Sequence, residues 1–187
     1  MAQAGFKRYP VEKGKIVYQT GEGEFKKTET VYFDRWGWRE LRIVEQLVIR
    51  SGNKIDEKRG ILMDGEFTYN LDYNFLKGSK TFSLIDVDLS ETIKGLALSE
   101  KGEKMLTQNG AKALGSATLL DKACNGYEFA NGVKSWFWKG MLLKSENGGT
   151  LTKCLSFDTD SDFDTSIFKI PSSFQIMDLG TMPVPKR

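Results

Sequence analysis

Asp158, Asp160, Asp162 and Asp164 are alternating carboxylates of the kind that open a calcium loop, where a hard cation draws several oxygens to one point. The pattern then stops. Phe163 stands where such a loop needs glycine and Lys169 where it needs a bidentate acid, so the stretch reads as a solvated acidic loop. The two thiols, Cys124 and Cys154, lack paired-cysteine spacing, and the chain contains no histidine. That absence removes the commonest general base, the usual nucleophile activator and the commonest zinc ligand together. Gly21-Glu22-Gly23 and Gly148-Gly149 are too short for a phosphate cradle and read as turns. Acidic residues are numerous enough for a glycosidase pair, but no spacing selects one. What remains is non-covalent: twelve Phe, six Tyr and four Trp offer apolar contact area, and the expectation is a binding protein, not an enzyme, with no cofactor and no metal.

Two stretches concentrate that aromatic surface. At a period of two, Phe67, Tyr69, Leu71 and Tyr73 share one face of a strand. Further on, Trp136, Trp138 and Leu142 fall on one side and Phe137, Met141 and Leu143 on the other. A strand that is apolar on both faces is covered on both, by packed elements or by a ligand. Phe67, Tyr69, Leu71, Trp136 and Trp138 are therefore the candidate ligand-lining residues, and a plain two-layer core is the competing use of the same pattern.

The elements that must position them are hairpins. Asn131-Gly132, which tolerates positive φ at both central turn positions, joins a strand entering from Cys124 to one running through Trp138 and Leu143. Asp64-Gly65 joins Gly60–Asp64 to Glu66–Asp72 in the same way. Before these come strands over residues 15–20 and 24–34. A turn at Arg35-Trp36-Gly37 follows, then a long strand over residues 38–50, which a helical stripe through Leu41, Val44, Leu47 and Val48 rivals. The face of the 24–34 strand that carries Lys26, Thr28, Thr30 and Tyr32 is expected to be wet. Residues 53–59 read as a charged connection, Lys77-Gly78 as a turn, and Asn125-Gly126 as the site of a bulge. Between residues 90 and 114 the pattern loosens to a helical one, with Ser90 capping a helix over 91–98 and Ser99 capping one over 100–108. Strands resume at 117–120 and 150–157 and close with 167–170.

A chain of 187 residues is one domain of ordinary size, here with an N-terminal arm over 1–14 and an extended tail over 178–187. With 27 basic and 25 acidic residues the net charge is +2, so no global field calls for nucleic acid. No apolar run reaches the roughly 18–20 residues that span a bilayer. Ala2-Gln3-Ala4 resembles the small-residue end of an export signal, which makes Met1 a start placed where a signal was removed; the natural start of a cytoplasmic protein is the alternative.

Four motifs carry a family resemblance. The sequence from Cys124 through Tyr127-Glu128-Phe129, the Asn131-Gly132 turn and Trp136-Phe137-Trp138-Lys139-Gly140 to Leu143-Lys144 resembles the C-terminal half of the periplasmic lipoprotein-carrier (LolA-like) family. Residues 30–37, 63–69 and 168–171 resemble that family's early strand, middle hairpin and closing strand. The resemblance spans roughly residues 15–177. It implies a mainly β (α+β) fold, a strongly curved antiparallel sheet forming a half-open barrel under a lid of two or three short helices. It further implies a monomer in the periplasm that carries a lipid, an acyl chain or an acylated protein on an apolar concave face, with transient contact to membrane proteins. Carriers of this type use a basic residue on that face, and the sequence does not say which residue fills the role. A structural or protein-interaction module with a solid core is the alternative function. Cys124 and Cys154 fall on one C-terminal meander, where an exported protein would tend to bridge them; two buried thiols is the other outcome.

Overall fold

Positive-φ turns set the architecture. Ser51-Gly52 (φ 51° and 80°), Gly65, Leu120-Asp121 (φ 51° and 57°), Lys139-Gly140 (φ 47° and 76°) and Gly148-Gly149 (φ 53° and 86°) each reverse the chain between strands that pair antiparallel. The computed structural model describes residues 6–82, 97–159 and 162–180. Its strands are β1 (Gly14–Thr20), β2 (Lys27–Asp34), β3 (Arg39–Arg50), β4 (Asn53–Asp64), β5 (Phe67–Asp72), β6 (Lys77–Phe82), β7 (Lys112–Leu119), β8 (Lys122–Glu128), β9 (Lys134–Trp138), β10 (Met141–Asn147), β11 (Thr150–Asp158) and β12 (Gln175–Asp178). One α-helix, α1 (Leu98–Gln108), and 3₁₀ turns at Arg35–Gly37 and Thr165–Phe168 complete the described residues. The fold is mainly β. All twelve strands form one open sheet in the order β12-β6-β5-β4-β3-β2-β1-β11-β10-β9-β8-β7.

The expected long strand over 38–50 is β3, and the helical alternative fails because β4 pairs with it along its whole length, from Arg39 opposite Asp64 to Arg50 opposite Asn53, and β2 pairs with its first eight residues. Several expectations are corrected. Residues 53–59 are strand, not connection: with little apolar alternation to announce it, this half of the β3–β4 hairpin is held by cross-strand polar pairs, Lys58 to Glu45 (2.9 Å) and Gln46 to Glu57 (2.8 Å). Lys77-Gly78 lies within β6, where a Cβ on Gly78 would sit 2.6 Å from the Asn70 carbonyl oxygen and 2.9 Å from Ile176; the glycine allows close approach and is not a turn. Residues 167–170 form no strand. Asp164 accepts the Ser166 N–H (2.9 Å) and turns the chain there, and the closing strand is β12, parallel to β6 in an otherwise antiparallel sheet. The segment read as one strand through Trp138 and Leu143 is two, β9 and β10, folded back at Lys139-Gly140. The bulge lies in β7 between Ala113 and Gly115, across from Gly126, and not in β8. Phe25, expected in β2, precedes it and is half exposed.

The two faces of the sheet carry different cores. On one face Leu41, Leu62 and Leu71 are buried under Phe168 and Phe174, with Tyr32, Ile43, Tyr69 and Ile176 packed around them. Segment 163–174 thus covers part of the β2 face expected to be wet, Phe163 meeting Tyr32 edge-on at 5.5 Å. The opposite face holds Ile16, Val31, Phe33, Cys124, Met141, Leu143 and Cys154, joined by Tyr9, Trp136, Trp138 and Phe157. The N-terminal arm is part of this core. Arg8 and Tyr9 donate their N–H groups to the Trp36 carbonyl (2.8 and 3.2 Å), the Tyr9 ring lies tilted against Phe33 at 4.3 Å and Phe6 meets Trp38 at 5.2 Å. Cys124 and Cys154 are buried free thiols on strands separated by β9 and β10, each donating to a backbone carbonyl two residues away.

Helix α1 begins at Leu98, two residues before the expected start. Ala97 is its N-cap, and Glu100 reaches back to the Ala97 N–H (3.1 Å). Ser99 therefore caps nothing; its hydroxyl donates to the Lys139 carbonyl (3.1 Å) and ties the helix to the β9–β10 turn. Buried Glu103 completes the attachment, accepting from Asn125 (2.7 Å), from the Tyr127 hydroxyl (3.4 Å) and from the Gly140 N–H. The helix expected over 91–98, capped by Ser90, falls almost wholly outside the described residues, as does the tail beyond residue 180.

Candidate functional site

The strand registers place Arg42, Val44 and Gln46 of β3, Glu57, Arg59 and Ile61 of β4, Asn70 of β5, Ser79 of β6 and Met177 of β12 on one face of the sheet. There they line a groove of about 690 Å³, with Leu179 at its β12 end. Crossing five strands at about 4.8 Å each, it runs for roughly 19 Å. Ile61 (39 % exposed), Met177 (66 %) and Leu179 (51 %) present their apolar surface to solvent instead of burying it. The rim is charged, and Glu57 is paired there: it accepts from Gln46, Arg50 and Arg59, and the Gln46 hydrogen bond leads the causes that hold its carboxyl below the usual range.

Arg42 closes the β3 end. Its guanidinium donates to Glu29 (2.6 Å) and to Glu40 (3.1 Å). Burial alone would lower its pKa; the charges of Glu40 and Glu29 outweigh burial and raise it, so Arg42 is cationic at any working pH. Glu40 is fully buried and also accepts from Arg8 (3.2 Å) and from the Tyr9 hydroxyl (2.5 Å). Burial first, and the Glu40 charge second, push the Tyr9 phenol far above its ordinary pKa. The arm, β2 and β3 are thus locked around one carboxylate.

On the far side of Arg42 lies a second hollow of about 320 Å³, walled by Tyr18, Thr20, Lys27, Glu29, Thr152 and Met141 among others. Thr20 and Thr152 join hydroxyls across the β1–β11 pair (2.9 Å), and Tyr18 donates to the Leu142 carbonyl (3.0 Å). Burial, reinforced by the Cys154 thiol, keeps the Tyr18 phenol protonated well above its ordinary range.

The five residues expected to line a ligand site do not meet in one place. Tyr69 and Leu71 belong to the core under segment 163–174, Leu71 also bordering the groove, while Phe67 pairs edge-on with Phe82 (5.9 Å) beneath Lys80. Trp136 and Trp138 pack on the opposite-face core: Trp138 meets Phe157 at 5.4 Å, and Trp136 lies so close over Gly126 that a Cβ there would be 2.7 Å from the indole nitrogen. The lining residues missed by sequence reasoning are Arg42, Val44, Ile61, Met177 and Leu179. The alternation of Arg42, Val44 and Gln46 against Leu41, Ile43 and Leu47 was the available signal, since both faces of β3 carry apolar residues. In the acidic loop, Asp164 is a turn cap and Asp162 pairs with Lys13 (3.4 Å). Among the described residues no cluster of three or more acidic, cysteine or histidine ligands forms.

The sequence matches no family model and no curated protein. Among solved structures, the chain is similar to an uncharacterized conserved protein from Thermus thermophilus, at 13 % identity and a TM-score of 0.53, over 90 % of this chain and 91 % of that one. At that identity the likeness is one of fold.

Proposed function

We propose that this protein binds and carries an amphipathic lipid or acyl chain, free or attached to a protein, without covalent chemistry. In this reading the open sheet curls around the groove as a half-open barrel, with α1 as part of a lid, and the groove takes the acyl chain. One observation carries it: a channel of about 690 Å³ whose exposed Ile61, Met177 and Leu179 lie among charged residues, within the size range of small-ligand sites. Arg42 is the basic residue at the end of that channel and takes the role that a carrier's basic residue would have. The periplasm, a monomeric state and passing contact with membrane proteins belong to the same proposal. The alternative, a solid interaction module, requires the groove to stay empty.

Native mass spectrometry of protein purified from its own compartment tests this. Co-purified adducts with the masses of acyl species are the expected result; a single apo mass, unchanged after incubation with oleate, refutes carriage.

A further inference from the structure

We infer that the hollow beyond Arg42 is a headgroup compartment, and that the ligand of the adjoining groove is a single-chain lipid whose headgroup is uncharged and rich in hydroxyls. The inference rests on the lipid-binding reading and deepens it. Arg42 is the shared wall of the two cavities, so a molecule filling both passes over its guanidinium. The walls on either side differ in balance. The larger cavity's wall is mainly apolar, with Val44, Ile61, Met177 and Leu179; the smaller mixes Ile16, Val31 and Leu142 with Thr20, Glu29 and Thr152 and is the more polar in proportion.

Charge then selects among headgroups. Both terminal nitrogens of Arg42 are already engaged by carboxylates, Glu29 at 2.6 Å and Glu40 at 3.1 Å, and Lys27 stands 4.0 Å from the same Glu29. An entering phosphate or carboxylate would have to break an ion pair to reach Arg42 and would compete with Glu29 for Lys27; leaving the displaced carboxylate part-buried and unpaired is costly. A hydroxyl incurs neither penalty. It can accept from a neutral donor and donate to a carboxylate oxygen, and the compartment supplies both kinds of partner: the hydroxyls of Thr20 and Thr152, bridged to each other at 2.9 Å, and the carboxylate of Glu29. Tyr18 adds a phenol oxygen able to accept, its own proton being given to the Leu142 carbonyl (3.0 Å). At about 320 Å³, less than half the volume of the groove, the compartment suits a small polyol better than a second long acyl chain.

The test is competition. A dansyl-labelled undecanoic acid is bound to the full chain and displaced by 1-monooleoylglycerol, by oleate and by oleoyl lysophosphatidylglycerol, each below its micellar concentration. Monooleoylglycerol should displace it at a concentration at least ten-fold lower than oleate or the lysophospholipid. Thr152→Val, which keeps a β-branched residue in β11 and removes one hydroxyl, should weaken monooleoylglycerol about five-fold and leave oleate unchanged. Oleate or the lysophospholipid competing as well as monooleoylglycerol overturns the headgroup inference while lipid binding stands. Failure of the probe and of all three lipids to bind overturns lipid binding itself, and the inference with it.

Discussion

Replacing Gly140 by alanine should detach α1 from the sheet, and comparison with Gly148→Ala separates steric from conformational cost. Both glycines sit in two-residue turns with positive φ, +76° and +53°, so alanine at either costs about 1–2 kcal/mol in backbone strain. They differ in surroundings. A Cβ on Gly148 has nothing within 4 Å, whereas one on Gly140 would lie 1.8 Å from the Ser99 carbonyl oxygen, 2.1 Å from its carbon and 2.7 Å from the Glu100 nitrogen. These are backbone atoms of the first helical turn and cannot rotate aside, so α1 must move. Moving it breaks the Gly140 N–H to Glu103 hydrogen bond and the Ser99 hydroxyl to Lys139 bond, and strains the Ser99 N–H to Arg8 carbonyl bond. At about 1 kcal/mol per net hydrogen bond, and more for the one to a buried carboxylate, the added loss is about 3–4 kcal/mol. Urea denaturation should therefore place Gly140→Ala about 4–6 kcal/mol below the parent and Gly148→Ala only about 1–2 below it. Amide exchange should show faster exchange through α1 in the first variant alone. Equal destabilisation of the two, or unchanged α1 exchange in Gly140→Ala, refutes the docking of the helix on this turn.

Two further outcomes follow from the buried polar groups. Glu40→Ala removes the shared acceptor of Arg8, Tyr9 and Arg42 and should cost about 3–5 kcal/mol in urea denaturation, while Glu40→Gln, which keeps an acceptor oxygen, should cost clearly less; the reverse order contradicts the network. Burial raises the Cys154 thiol from about 9 to about 11, so the native state holds a proton that the unfolded chain releases. Its contribution is present in full below pH 9 and is lost as pH rises from 9 to 11, with the raised Tyr9 and Tyr18 phenols adding loss in the same direction above pH 10. Denaturation midpoints across pH 8–11 should fall, and fall less steeply in Cys154→Ala; a parallel fall in that variant removes the thiol from the account.

Wherever apolar alternation and turn chemistry spoke together, the sequence was legible. The β8–β9 hairpin at Asn131-Gly132, the β4–β5 hairpin, β1 and β3 all lie where period-two patterning places them. What escaped notice was held together by something other than apolar alternation. The outer half of β3–β4 rests on opposed charges, and Gly78 is a strand residue because two neighbours crowd it, a fact of tertiary packing. The fold-back at Lys139-Gly140 was hidden because Lys139 adopts φ 47°, a conformation its residue type does not advertise. The same limit governed the site. Aromatic stripes locate what is most apolar, and in this chain such residues fill two cores, Tyr69 in one and Trp138 in the other. The groove is lined by isolated apolar residues between charges, visible only once β3, β4, β5 and β12 are aligned.

The direct test of lipid binding is the equilibrium titration of dansyl-undecanoic acid against the parent, Ile61→Glu and Ile49→Glu. Ile61 is a half-exposed wall of the groove, and a carboxylate there faces the acyl chain; Ile49, 59 % exposed near the end of β3, does not line the groove. Both substitutions fall on solvent-accessible strand positions, so circular dichroism should be unchanged in each. Saturable binding is expected for the parent and for Ile49→Glu, and affinity at least ten-fold weaker for Ile61→Glu. Equal affinity in all three, or no saturable binding to the parent, contradicts lipid binding in the groove.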